Sequence, residues 1–416
     1  MSPLKAAACA STFAKWRVMA ENQLSIRILN AVIQACLVGF VGSLPVSIAF
    51  CQISLGLGLA SWLFKAAMER KFTWPSSPLE KGFIIFFSVC ILATIFSLKP
   101  LESLVGLKKF YLVLAVYFVG FNIPNRERRD ELVSLFIVMV AATGCYGILA
   151  SVFGHQARLL GAQTMAMTSG GIFIMAAFLM MPSLLSRPSN KLNGFMFGLL
   201  ATVLALSIVL NKTLSAWAGL LAGMMLYIFR QKLLRGVVFL LVFAAVFLSV
   251  ALLRPSRGFF NYSKMDSWQA RVAMWDIGWK LIKQRPILGT GLIDLGELYQ
   301  KERKVEDIQL HGNNRRFGHL HNNFIHVTAI TGFAGLTAFI FLWVVIISFI
   351  LERIKKSTGM IKLQNLSYLA VMVGFLVNGL AEWNFGDSEV VTILWFVLGL
   401  ALAGWRWETG NRAVVG

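Results

Sequence analysis

The chain has 416 residues, of which 57% are hydrophobic and only 14% are charged, and its mean hydropathy is +0.70. Ordinary soluble globular proteins carry about 25% charged residues, so the composition excludes that class. The formal net charge of +20 would suggest nucleic-acid binding in a soluble protein, but lysine and arginine also collect in the cytoplasmic loops of membrane proteins. We therefore expect a membrane protein that binds no nucleic acid.

Twelve hydrophobic runs predict twelve membrane spans. Runs of about 20 apolar residues are long enough to cross a bilayer as helices. Lipid offers no partners to backbone polar groups, so spans must be helices or closed barrels, and the strict alternation of barrel strands is absent. We expect an all-α polytopic protein with one integral membrane domain over residues 1–416. The spans are expected near residues 26–44, 46–66, 82–98, 103–123, 132–153, 164–185, 192–210, 214–229, 236–253, 323–351, 366–382 and 389–405.

The basic residues favour one side of the membrane. Two of the most basic loops follow the fourth and tenth spans, with Arg126, Arg128 and Arg129 and with Arg353, Lys355 and Lys356. Because cytoplasmic loops carry an excess of lysine and arginine, both termini are expected in the cytoplasm. Residues 254–320, the longest polar segment, then form an extracytoplasmic loop between spans nine and ten.

An amphipathic helix is predicted near residues 267–284 of this loop. Its apolar residues recur at spacings of four, three, four and three: Trp268, Val272, Trp275, Trp279 and Ile282. Such spacing places them along one helix face. Tryptophans on one face suit a helix at the membrane interface, where indole rings prefer to lie.

Arg271 is a candidate anion-binding residue on this helix. It lies about 60° from the centre of the apolar stripe, and no carboxylate occurs three or four residues away on its own helix. It is either an interface residue whose charge reaches the headgroups, or a guanidinium that binds a phosphate in bidentate fashion. Arg158 and Lys212, at span ends on the same predicted side, favour the second interpretation.

His321 heads the tenth span and is the candidate general base. A histidine there can accept a proton near neutral pH, although capping the helix or contacting headgroups is the structural alternative. His319 and Asn322 flank it and are candidates for supporting or substrate contacts. The two histidines have no third ligand at recognisable spacing, and the five cysteines show no metal-ligand pattern, so we expect no metal site.

A cluster of three acidic residues lies on the same predicted side, near the loop between the last two spans. Glu382, Asp387 and Glu389 are candidates for contacts to sugar hydroxyls, or for counter-ions of the basic groups. The structural alternative is a solvated loop with no binding role.

Four motifs resemble those of the O-antigen ligase/polymerase superfamily. They are Ala270–Trp275, Arg285–Gly291, His319–Phe324 and Thr331–Leu336, and the resemblance covers about residues 212–400. It implies an inverting, metal-independent glycosyltransferase of the bacterial inner membrane. Such a ligase moves a finished O-antigen polysaccharide from undecaprenyl pyrophosphate to a sugar of the lipid A core on the periplasmic face. It needs no cofactor, and its partners are the two lipid-linked substrates and the membrane lipids.

The resemblance also implies roles for single residues. His321 matches the family's histidine and would activate the acceptor hydroxyl, and Arg271 matches its loop arginine and would hold the pyrophosphate. Many members carry a further arginine at the start of the eighth span, where this chain has Thr213-Leu214-Ser215. The expectation is that Lys212 or Arg158 substitutes for it.

Two other functions remain open from the sequence. A polymerase or exopolysaccharide relative within the same superfamily would use the same donor chemistry. A polysaccharide-lipid transporter is less favoured, because transporters usually show inverted repeats and broken or charged spans, and neither is evident in the sequence.

Overall fold

The computed structural model describes residues 3–70, 76–154, 158–186, 191–230, 263–302 and 318–410. Within these ranges the secondary structure is helical and no strand occurs, which confirms the all-α prediction for the described part. The expected ninth span, residues 236–253, lies outside the described residues. So do residues 254–262 and 303–317 of the expected external loop.

The described helices follow the hydrophobic runs. They are α1 (Pro3–Ser43), α2 (Ile48–Met68), α3 (Glu80–Ile95), α4 (Pro100–Leu107), a 3₁₀ segment (Lys108–Val113), α5 (Leu114–Asn122), α6 (Arg126–Phe153), α7 (Ala166–Leu185), α8 (Lys191–Asn211), α9 (Leu214–Arg230), α10 (Ser263–Gln284), α11 (Gly296–Glu302), α12 (Asn323–Lys356), α13 (Gly359–Asn378) and α14 (Ser388–Thr409).

Nine candidate spans in the described part are long and apolar enough to cross a membrane, with α4, the 3₁₀ segment and α5 counted as one. Two shorter helices, α3 and α9, coincide with the expected third and eighth spans. The chain is thus a multi-pass membrane protein, while the full count of twelve spans stays a prediction.

The tenth span is broken, which the sequence did not predict. The hydrophobic run was expected to form one long helix over residues 323–351, but Gly332 inside α12 has φ 68° and ψ −171°. That region is open essentially to glycine alone. A Cβ on Gly332 would also fall on the carbonyl oxygen of Ile287.

The turn after α10 fills the break. Its backbone takes up groups that the interrupted helix leaves unpaired: Thr290 N donates to Ala329 O (2.9 Å), Gly291 N to Ile330 O (2.9 Å), and in return Phe333 N donates to Pro286 O (2.7 Å) and Ala334 N to Ile287 O (3.2 Å). The Arg285–Gly291 motif is therefore held to α12 by backbone hydrogen bonds. It joins α10 to the head of α12, residues 323–331.

The loops predicted for the outer side of the membrane lie together at one end of the bundle, here called the site end. Contacts between them include Leu98 N with Thr290 O at 3.0 Å and Thr168 Oγ1 with Asp387 Oδ2 at 2.6 Å. At the opposite end, Arg406 donates to the carbonyl of Ile123. These described loops thus lie at the two ends of the bundle that the charge pattern assigned to them. The compartment that each end faces stays a prediction.

Helix α10 packs on its neighbours through one face. Ala270, Met274, Ile277 and Leu281 are buried in a small apolar cluster with the head of α12. Trp268 and Trp279 are about half exposed, at 52% and 48%, as an interfacial helix would require. The indole of Trp275 donates to the carbonyl of Leu320 at 3.0 Å, which fixes α10 beside the segment that carries His321.

Candidate functional site

A single carboxylate joins the two residues that the sequence singled out. Glu382 Oε1 lies 2.5 Å from Arg271 Nη2, and Glu382 Oε2 lies 3.0 Å from His321 Nδ1. The Glu382 side chain is only 7% exposed. Three distant stretches of the chain, namely α10, the residues before α12 and the loop after α13, therefore meet at one buried carboxylate.

Two asparagines at the head of α12 hold the Glu382 loop in place. Asn322 caps the helix through Oδ1, which accepts from Phe324 N (2.9 Å) and Ile325 N (3.0 Å), while its Nδ2 donates to Leu380 O (2.7 Å). Asn323 N donates to Gly379 O at 2.7 Å, and Asn323 Nδ2 donates to Asn384 Oδ1 at 2.6 Å. These bonds keep Glu382 beside His321. A substrate contact for Asn322 stays a prediction.

His321 has an unusual backbone. Its φ of 44° is left-handed, a conformation that is uncommon outside glycine and costs on the order of 1 kcal/mol or more. Such strain persists where surrounding bonds over-determine it, here through the Asn322 cap and the Glu382 contact. The strained backbone turns the imidazole toward the loop after α13.

His319 packs against His321, with ring centroids 4.4 Å apart. Burial is the main cause that lowers the pKa of His319 to about 4; the neighbouring His321 acts in the same direction, and Glu382, Asp294 and Asp387 oppose it. His319 is therefore neutral at pH 7. It adds no positive charge to the site.

Arg271 points into the protein. Its side chain is 15% exposed, and Nη2 also lies 4.0 Å from Met167 Sδ. The partner that its own helix does not supply comes from Glu382, 111 residues along the chain. This placement differs from that of an interface residue whose charge reaches the headgroups, and anion binding by Arg271 stays a prediction.

Arg158 lies within electrostatic range of this pair. Its Nε donates to Asn211 O (3.2 Å) and its Nη2 to Thr213 Oγ1 (2.6 Å). Burial lowers the pKa of Arg158, Glu382 raises it and Arg271 lowers it. Thr213 lies where many members of the superfamily carry an arginine, and in this chain it accepts a hydrogen bond from Arg158.

Lys212 lies between the two residues that hold Arg158. Its φ of 56° is left-handed, and its side chain is half-buried. Its contribution to anion binding stays a prediction.

A cavity of about 880 Å³ opens beside His321 and Glu382. Its polar wall includes His319, His321, Glu382 and Asp387, and its other walls are rich in aromatic side chains: Phe83, Phe86, Phe87, Phe110, Phe385 and Trp395. Arg271 and Arg158, whose side chains are both described, are not among the lining residues. The histidine therefore faces the cavity, and the arginines lie outside its walls.

Two lysines on the cavity wall were not predicted as site residues. Lys108 and Lys109 line the cavity at the point where α4 gives way to the 3₁₀ segment. Lys109 Nζ donates to Gly386 O at 2.9 Å. The basic pair is visible in the sequence, but no local pattern indicates that it lines a cavity.

Asp387 has a structural role in addition to lining the cavity. Its Oδ1 caps α14 by accepting from Glu389 N (3.1 Å) and Val390 N (3.3 Å). Its Oδ2 accepts from Thr168 at the head of α7. A contact to substrate hydroxyls stays a prediction. Over the ranges that the structure describes, no group of three or more His, Cys, Asp or Glu side chains is arranged to hold a metal ion.

Comparison with known proteins supports the resemblance seen in the motifs. Residues 195–340 match the family model described as O-antigen ligase, which confirms the resemblance to that superfamily. An uncharacterized protein of Haemophilus influenzae is 22% identical over 298 residues, 66% of this chain and 73% of that protein. The matched family region contains Arg271 and His321 and ends before Glu382.

Proposed function

Because residues 195–340 match the O-antigen ligase family, we propose that the protein is an inverting glycosyltransferase of the bacterial inner membrane. It transfers a polysaccharide from undecaprenyl pyrophosphate to a sugar of the lipid A core on the periplasmic face. The observation that carries this proposal is the buried bridge from His321 through Glu382 to Arg271, which places a base and an anion-binding group side by side.

His321 is the general base in this proposal. Its Nδ1 is bonded to Glu382, so Nε2 is the nitrogen that accepts the proton of the acceptor hydroxyl. The acceptor oxygen forms a new bond to the anomeric carbon of the donor sugar. The bond from that carbon to the pyrophosphate breaks, and its electron pair leaves with the phosphate oxygen. A positioned base of this kind contributes typically about 10²–10⁴-fold.

Arg271 stabilises the departing pyrophosphate, with Arg158 as a second cation. A guanidinium matches phosphate oxygens through parallel N–H groups, and cations that are already fixed in place need no reorganisation as charge develops. The donor brings its own leaving group. The reaction therefore needs no nucleotide, and we expect no cofactor and no metal.

Inversion in this proposal comes from the family resemblance. A direct displacement needs the nucleophile and the leaving group on opposite faces of the sugar carbon. His321 lines the cavity, so the acceptor hydroxyl approaches His321 from the cavity.

The broken helix bears on the transporter alternative. The sequence argument against a transporter relied partly on unbroken spans, and Gly332 interrupts α12. Ion-coupled transporters use unwound backbone carbonyls to coordinate ions. Here the carbonyls of Ala329 and Ile330 accept from the turn after α10, so the break favours a structural joint over an ion site.

Reconstitution tests the proposal directly. The purified protein in liposomes is given undecaprenyl pyrophosphate-linked polysaccharide and lipid A core, with EDTA present and no nucleotide. Polysaccharide attached to the core supports the ligase, whereas longer chains that remain on the lipid indicate a polymerase of the same superfamily. Absence of both products, under conditions where both substrates are incorporated, contradicts glycosyl transfer.

A further inference from the structure

We propose that Glu382 is the positioning residue that makes His321 a base and holds Arg271 at the leaving group, so that one carboxylate serves both halves of the reaction. This inference rests on the proposed glycosyl transfer. Glu382 lies beyond the region that matches the family. The sequence alone left it as one of several possible contacts or as a residue of a solvated loop.

The first support is the cost of burying the carboxylate. A buried carboxylate is expensive unless it is paired and hydrogen-bonded. Glu382 is 7% exposed, and its two oxygens are used by two different partners, Arg271 at 2.5 Å and His321 at 3.0 Å. A bidentate ion pair with Arg271 alone would have used both oxygens on one partner. The use of both oxygens fixes the distance between a base and a cation that come from separate elements.

The second support is the proton position on the imidazole. An ionised carboxylate can only accept hydrogen bonds, so the proton of neutral His321 must lie on Nδ1, which faces Glu382. The lone pair is then on Nε2, the nitrogen that remains for the acceptor hydroxyl. Without the carboxylate, the imidazole is free to carry its proton on the reacting nitrogen.

Arg271 makes this dependence unusually strict. A guanidinium is a donor only, so it requires an oxygen of residue 382. In Glu382→Gln the amide oxygen would therefore face Arg271, and the amide NH₂ would face His321. The imidazole would then accept at Nδ1 and carry its proton on Nε2, which removes its ability to act as a base.

Charged and titratable groups from several elements face this pair, and they define what a pH profile reports. They are Arg271 on α10, Arg158 before α7, His319 beside His321, His326 on α12, Asp294 after α10, Asp387 in the loop of Glu382, Glu389 beside Asp387, and Lys109 on the 3₁₀ segment. Because several groups contribute to a pH profile, the tautomer measurement below is what assigns an effect to His321.

The kinetic test compares Glu382→Gln with wild-type protein in the reconstituted transfer assay. In serine proteases the equivalent acid-to-amide change lowers kcat by about 10⁴ through the wrong tautomer, so we expect a fall in kcat on the order of 10³–10⁴-fold, with an altered pH profile. The KM for the donor should change less than tenfold, because the oxygen facing Arg271 remains. The control is Glu297→Gln, an exposed acid paired with Lys99, which should leave all three quantities unchanged.

A second measurement separates this inference from the proposed function. The ¹⁵N shifts of histidine-labelled protein report the tautomer of His321 without any substrate, and a His321→Gln sample assigns the signal. Protonation at Nδ1 in the wild type, moving to Nε2 in Glu382→Gln, supports the inference even if the wild type transfers no sugar. A wild-type Nε2–H tautomer overturns it, as does a Glu382→Gln variant that keeps kcat within tenfold and an unchanged pH profile. If the variant fails to insert, the wild-type spectrum alone decides.

Discussion

Replacing Arg271 with lysine separates charge from geometry at the proposed leaving-group site. The guanidinium is 15% exposed and binds a carboxylate that is 7% exposed. Arg271→Ala would leave that carboxylate buried without its cation, at a cost of about 3–5 kcal/mol, so loss of folding would obscure loss of chemistry. Arg271→Lys keeps the positive charge, and we expect the protein to insert normally.

The magnitude follows from the number of donors. A lysine ammonium is a point charge, and it cannot present two parallel N–H groups to a phosphate while it also holds Glu382. Removal of one fixed donor from a developing oxyanion typically lowers kcat by about 10²–10³-fold, or about 2.7–4 kcal/mol. We therefore expect Arg271→Lys to lose about that much in kcat, because the interaction strengthens as the pyrophosphate departs.

The assay is the reconstituted transfer reaction, with kcat and KM measured for donor and acceptor separately. Arg128→Lys is the matched control. That arginine lies at the opposite end of the bundle and pairs with Glu131 on the surface, so its variant should behave like the wild type. A value of kcat within twofold of the wild type for Arg271→Lys would refute the two-point contact and favour a role at the membrane interface.

Three further predictions concern neighbouring positions. His321→Ala should lower transfer at least 10²-fold while expression and membrane insertion, followed by fluorescence-detected gel filtration, stay normal; retained transfer would remove the base. Gly332→Ala should destabilise the protein by about 3 kcal/mol or more, seen as a lower Tm in detergent, whereas Gly359→Ala has a similar φ of 54° in open space and should cost less. The pKa of His319 falls from 6.5 to about 4 on folding, so between these pH values the unfolded chain binds a proton that the folded protein does not. The free energy of unfolding should therefore decrease as the pH falls from 6.5 to 4, by on the order of 2–3 kcal/mol. His319→Asn should flatten that part of the pH–Tm curve, and an identical curve would contradict the assignment.

The sequence predicted what depends on local pattern. Hydrophobic runs were sufficient for the described helices, and the Arg271 and His321 motifs named two residues that the fold brings to one carboxylate. The partner of Arg271 was not predictable in this way. Glu382 lies 111 residues further along the chain, and no periodicity connects an external helix to a distant loop.

The broken helix was missed for a different reason. Hydropathy is continuous through Gly332, so the run read as one span. The break depends on backbone hydrogen bonds to Arg285–Gly291. That segment lies about 40 residues before Gly332, too far for a helical periodicity to reveal the contact. Lys108 and Lys109 were overlooked for a similar reason, because the cavity that they line is formed by segments far apart in the chain.

The joint at Gly332 divides α12 into two bodies with different attachments. Residues 323–331 are bonded to the turn after α10 and to the loop of Glu382, whereas the residues beyond the joint run on to Lys356 as the membrane-crossing part. The imidazole of His321 and the guanidinium of Arg271 thus belong to one body, formed by α10, the turn after it and residues 323–331. Tilting of the long part of α12 in bilayers of different thickness would change its angle to that body, while the spacing between the two reactive groups would be preserved.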